Sequence, residues 1–166
     1  MAKRFRGSEG FQQDRRVRVD SPSRRSDKYP SDTKCPKCGL LFHEGVWKRA
    51  STAGKQEVRW KLCPACLQAR NGRAGGTVML AGSFIAQHRE ELLNRIRNVE
   101  TNTSEERPLE RVISIKENKD FIIISATTEH LVARIAKSIH RDFGGSLELR
   151  YAPEDKFATA RWHRDA

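Results

Sequence analysis

The four cysteines constrain this chain more than any other feature. They stand in two matched pairs, Cys35 and Cys38 in K-C-P-K-C-G at residues 34–39, and Cys63 and Cys66 in L-C-P-A-C-L at residues 62–67, with 24 residues between the pairs. Two thiolates spaced two apart can grip one metal ion from a tight turn, and two such turns complete a tetrahedron. Proline after the first cysteine and glycine after the second suit such a turn. Residues 35–39 have both, and the second pair lacks the glycine. The pattern predicts one structural Zn2+ held by Cys35, Cys38, Cys63 and Cys66. Four thiolates close the coordination shell, which leaves no open position for catalysis by the metal. Dithiol redox chemistry is the rival, since C-P-x-C also serves there, but that motif belongs after a strand of a β-α-β unit, which this neighbourhood lacks. His43 is expected at the surface or in packing rather than on the metal.

Charge divides the chain in two. Residues 1–80 hold 18 Lys and Arg against 7 Asp and Glu, and residues 81–166 hold 14 against 14, so the half with the cysteines carries the whole net +11. A basic half of this kind suits a polyanion, most commonly nucleic acid; a basic segment kept for solubility is the plainer alternative. Mean hydropathy is −0.72 and no apolar run is long enough to span a bilayer. The N-terminal M-A-K-R-F-R-G has the charge of a signal peptide without its apolar region. The expectation is a cytoplasmic protein with no membrane partner, in which paired cysteines bind metal rather than form disulfides.

Residues 1–33 read as a disordered basic arm, with 9 basic and 5 acidic residues and little to bury. It either orders on phosphates or is a passive leader. Residues 34–73 form the expected zinc ribbon. Leu40, Leu41, Phe42, Val46, Trp47, Val58, Trp60 and Leu62 are too few for a self-sufficient core, as in other short metal-dependent modules. Residues 58–62 alternate apolar with basic and predict a strand paired with 45–49 across a turn at 50–56. Residues 74–82, rich in glycine, read as a linker holding at most one small strand.

From Ser83, the expected N-cap, Ile85, His88, Leu92, Ile96 and Val99 repeat at helical spacing until the polar run 101–107 and Pro108. A strand at 111–116, with Val112 pointing opposite to Ile113 and Ile115, and a continuous apolar strand at 121–124 follow. Thr127 or Thr128 caps a second helix with Leu131, Ile135, Ile139 and Phe143 in one stripe, stopped by Gly144-Gly145. Leu147, Leu149 and Tyr151, then Ala158, Ala160 and Trp162, alternate as two strands. The fold class is therefore α+β: a disordered arm, a zinc ribbon, and an αββαββ domain at 83–166 with an antiparallel sheet and both helices on one face.

The ribbon carries its own basic set. Lys34 and Lys37 sit on the first knuckle, Lys48 and Arg49 beside Trp47, and Arg59 and Lys61 around Trp60. Their charges suit phosphates, and an exposed Trp can stack on an unpaired base. Whether Trp47 and Trp60 stack or fill the ribbon core stays open at this level, with at least one expected inside. Catalytic signatures are absent: His88 lies on an apolar stripe, His130 and His140 have no nearby Cys, and Asp142-Phe143-Gly144 is a helix end without the rest of the kinase set. No enzymatic activity is expected.

Several stretches, taken together, resemble a known family. Residues 82–98 read G-S-F-I-A-Q-H-R-E-E-L-L-N-R-I-R-N, residues 108–112 P-L-E-R-V and residues 129–137 E-H-L-V-A-R-I-A-K, with Tyr151 and Trp162-His163-Arg164 near the end. With the C-P-x-C-G knuckle, this order is similar to that of the Nmd-three family, above all its short bacterial members, over residues 35–164. The resemblance implies binding to the large ribosomal subunit, the role of the eukaryotic adaptors that escort nascent large subunits from the nucleus. Longer relatives carry additional C-x-x-C pairs, C-terminal domains and an export signal, so one metal is expected here and export is not carried over. The combined expectation is a non-enzymatic zinc-ribbon protein that binds structured RNA, ribosomal RNA in particular, with the neutral α+β domain setting position or recruiting a protein. A protein-interaction ribbon and a thiol-redox protein are the alternatives.

Overall fold

The computed structural model describes residues 29–49 and 58–166. The expected arm up to residue 28 and the turn expected at 50–56 lie outside these residues. Among the described residues, no helix is long and apolar enough to cross a membrane.

The first knuckle closes through Cys35 N–H to Leu40 O (2.8 Å) and Gly39 N–H to Cys35 O (3.0 Å), with Gly39 at φ 78°. That left-handed conformation is why glycine follows the second cysteine. Around it lie β1 (Thr33–Lys34), β2 (Leu41–His43), β3 (Val46–Lys48) and β4 (Arg59–Trp60), in the order β3-β2-β1-β4. The pairing differs from the expected hairpin of 45–49 with 58–62. β3 pairs antiparallel with β2, and β4 lies parallel to β1. Tyr29 and Thr33, assigned to the arm by composition, belong to the ribbon. The Tyr29 ring packs 5.0 Å from Trp47 and its hydroxyl donates to Leu62 O, while Thr33 is fully buried. Their polar neighbours hid this, because composition averages over a window and burial acts on single residues. A short helix, α1 (Pro64–Arg70), grows from the second knuckle.

The second sheet is built on β5 (Gly76–Ala81), the stretch expected to be a linker. Its Val78 and Leu80 are fully buried and alternate with half-exposed Thr77 and Met79, the period of a strand covered on one face. The glycines that suggested a hinge are demanded by close packing. A Cβ at Gly75 would strike Thr127 O, and one at Gly76 would lie 2.5 Å from Ala158 O and 2.7 Å from Val132 Cγ2. The remaining elements are α2 (Phe84–Glu106), β6 (Val112–Glu117), β7 (Phe121–Ala126), α3 (Glu129–Phe143), β8 (Ser146–Ala152) and β9 (Phe157–His163).

The strand order is β6-β7-β5-β9-β8. All neighbours run antiparallel except β5 and β9, which are parallel, so the sheet is mixed rather than antiparallel as expected. The extra central strand causes this: with β5 inserted between β7 and β9, the two hairpins flank it and only one can run against it. Both helices cover the face bearing Val78, Leu80, Ile122, Ile124, Ala160 and Trp162, through Ile85, Leu92, Ile96, Leu131, Ile135 and Ile139.

Local expectations were corrected at three points and resolved between two candidates at a fourth. Ser83 is helical itself and its hydroxyl donates to Asp165 Oδ1 (3.3 Å), so it does not cap α2. The polar run 101–107 continues α2, because buried Thr103 and Ser104 find partners in Arg134 and in Thr101 O. A register shift between Val112 and Ser114 returns Val112 and Ile115 to the same face, opposite Ala126 and Ile124. Of the two candidate caps, Thr128 accepts from Leu131 N–H (3.2 Å), while Thr127 turns elsewhere.

Candidate metal centre and its basic surface

The two knuckles bring all four sulfurs within 4.8 Å of one another, with Cys35, Cys63 and Cys66 buried and Cys38 exposed. Cys63 caps α1, its Sγ accepting from Cys66 N–H at 3.4 Å, and Pro64 opens the helix without an N–H to satisfy. Cys38 Sγ and Cys63 Sγ are 3.6 Å apart. A tetrahedron with metal–sulfur bonds of about 2.3 Å sets its sulfurs about 3.8 Å apart, whereas a disulfide needs about 2 Å. All four cysteines are free, and their spacing fits one metal ion.

Electrostatics favour a cation at this point. Burial pushes the Cys63 thiol up, and the nearby Cys38 and Cys66 sulfurs add to it, against the pull of Cys66 N–H and Arg111. Burial likewise raises Cys66. Burial also acts against ionisation of Cys35, but backbone hydrogen bonds at Cys63, Cys38 and Lys37 outweigh it and bring that thiol to about 6. Mutual repulsion and desolvation thus oppose four thiolates together, and a divalent cation removes that opposition. His43 is not in the cluster; its Nδ1 lies 3.1 Å from Asp32 Oδ1.

The ribbon sheet separates the two tryptophans. Cross-strand partners point to the same face, so one row runs Trp47, Phe42, Thr33, Arg59, and its first three members are buried. Trp47, 6% exposed, packs 5.3 Å from Phe42 as the small core. The neighbouring row runs Lys48, Leu41, Lys34, Trp60 on the opposite face. Trp60 is 61% exposed, and Lys34 Nζ stands 5.8 Å from its ring centroid. Lys48, Lys34 and Trp60 therefore form a line across four strands, roughly 14 Å at about 4.8 Å per strand. Arg59, on the opposite face of β4, and Lys61, just past its end, are both exposed, as is Lys37 on the first knuckle. Arg49 stands apart from this row: its Nη2 donates to Ser104 Oγ at 3.3 Å, tying the ribbon to α2.

Residue periodicity did not reveal Arg111. Its Nη2 lies 3.0 Å from Cys63 Sγ and 3.6 Å from Cys66 Sγ. Burial alone would lower its pKa, but the thiolates of Cys63, Cys38 and Cys66 raise it, so its charge is held. In the sequence it reads as the start of a strand and as part of the P-L-E-R-V stretch, and no spacing links it to cysteines 45 and 48 positions earlier.

Comparison of the chain with protein-family profiles, with curated proteins and with solved structures finds no match.

Proposed function

We propose that this is a non-enzymatic zinc-ribbon protein that binds structured RNA through the exposed face of the ribbon sheet. The line Lys48, Lys34, Trp60, ending at the sheet edge where Arg59 and Lys61 are also exposed, is the observation that carries this reading. Ammonium and guanidinium groups neutralise phosphates and release their counterions, while an indole offers stacking worth roughly 1–3 kcal/mol per base. Trp60 supplies that stacking surface only because Trp47 takes the core position. The four-thiolate donor set favours Zn2+ among available divalent ions. Zinc here shapes the basic surface and takes no part in bond-making.

The likeness of residues 82–98, 108–112 and 129–137 to the Nmd-three family directs the reading to ribosomal RNA of the large subunit. Co-sedimentation of the tagged protein with separated subunits, repeated from 50 to 200 mM salt, tests it. With about five cations on phosphates, affinity should fall by roughly two to three orders of magnitude over that range. Binding that ignores salt, or that persists after the RNA is digested, would point to a protein-docking ribbon.

A further inference from the structure

The P-L-E-R-V stretch at 108–112 is used by the structure in a way that neither RNA binding nor the α+β core requires. It joins α2 to β6 and lies against the metal centre. Leu109 packs on the ribbon's buried cluster with Leu62 and Tyr29. Arg111 reaches the sulfurs of Cys63 and Cys66. The backbone between them hangs on Thr127: its Oγ1 donates to Leu109 O (2.9 Å) and accepts from Arg111 N–H (3.0 Å), and its own N–H donates to Arg111 O (2.9 Å). Gln68 of α1, buried, completes the bracket by donating to Thr127 O at 3.0 Å. The Leu109 and Arg111 contacts join the ribbon to this connection, Gln68 joins it to Thr127, and the Thr127 hydrogen bonds to Leu109 and Arg111 brace the connection from the end of β7.

We propose that Arg111 is a positioning residue of the metal centre, holding the Cys63 and Cys66 thiolates by charge-assisted hydrogen bonds, so that the ion seats the ribbon on the α+β unit through the Leu109–Thr127 bracket. The inference rests on the four-cysteine site holding a metal. A divalent ion with four thiolates leaves a net charge of −2 in a largely buried place, and one guanidinium halves it. A single nitrogen, Nη2, meets both sulfurs, and a guanidinium keeps its charge on burial where a lysine ammonium readily gives it up. Partners of this kind orient metal ligands, and their loss typically lowers metal affinity 10- to 100-fold.

Metal content of the purified full chain is measured first; a protein without a bound ion overturns the metal reading itself. Affinity for Co2+, followed by its thiolate charge-transfer absorption against a competing chelator, is then compared for the parent, Arg111→Met and Arg111→Lys. A 10- to 100-fold loss for Arg111→Met and a smaller loss for Arg111→Lys are expected. Equal affinity in all three overturns the role of Arg111. Amide exchange on the parent covers the case in which Arg111→Met fails to fold. Chelation is expected to speed exchange at Arg111 and Thr127 as well as in the ribbon. Faster exchange confined to residues 33–70 overturns the coupling.

Discussion

Lys34 and Trp60 are cross-strand partners in the parallel pair of β1 and β4, with the ammonium 5.8 Å from the indole centroid. The lysine covers one approach to the ring, and the ring is still 61% exposed. A cation over an aromatic face and a base stacked on such a face use the same π surface. Under the proposed function, the pair would offer a phosphate contact and a stacking surface one strand spacing apart.

Of the three tryptophans, Trp47 and Trp162 are buried and only Trp60 is open. Iodide should quench about one third of the indole population in the parent and almost none in Trp60→Phe. Bound RNA should protect that fraction. Trp60→Ala is expected to weaken RNA binding by roughly 5- to 150-fold, the equivalent of about 1–3 kcal/mol, with thermal stability unchanged because the side chain buries little. An RNA affinity equal to the parent's would remove the stacking surface from the proposal.

Stripping the metal should act unevenly. Among the described residues the ribbon's buried apolar side chains are few, chiefly Leu40, Phe42 and Trp47, whereas the second core joins two helices and a five-stranded sheet. A structural zinc site in a small module supplies on the order of 10 kcal/mol. Chelation, or Cys63→Ser, should red-shift Trp47 emission and expose the ribbon to protease while the α+β unit still melts cooperatively. A single loss of both units at chelation would mean that the larger core cannot stand alone.

Gly76→Ala distinguishes a central strand from a hinge. The new methyl would meet Ala158 O at 2.5 Å and Val132 Cγ2 at 2.7 Å, and overpacking of this kind costs roughly 1–3 kcal/mol. A free linker would absorb the same change within about 0.5 kcal/mol. Denaturant midpoints at constant slope decide the matter.

Thr127 and Thr128 are adjacent and play different parts. Thr128→Ala removes the α3 cap and should cost about 1 kcal/mol, with little effect at the ribbon. Thr127→Val keeps the shape but leaves Leu109 O and Arg111 N–H without their side-chain partner, a loss of roughly 1–3 kcal/mol. Only the second change should loosen residues 109–111, as read by amide exchange.

Local chemistry was legible where a residue's role depends on its own neighbours in the chain. The four-cysteine cluster follows from two C-P-x-C turns, the stop of α3 from Gly144 at φ 66°, and both long helices from apolar residues repeating every three or four positions. The ends of α2 were harder to place, because Thr103 and Ser104 are helical only through partners on other segments.

Sequence alone determined the four-cysteine set, the basic half around it and the alternation of helix and strand, since each is written in spacing or in charge. Tertiary structure decided which tryptophan is exposed, that a glycine-rich stretch is the central strand, and that Arg111 stands against the sulfurs. These depend on which strand lies beside which, and strand pairing is settled by contacts between residues far apart in the chain. Trp47 and Trp60 have similar local surroundings, a valine or arginine before and a lysine after. Their pairing to Phe42 on one face and to Lys34 on the other is what makes one of them core and the other surface.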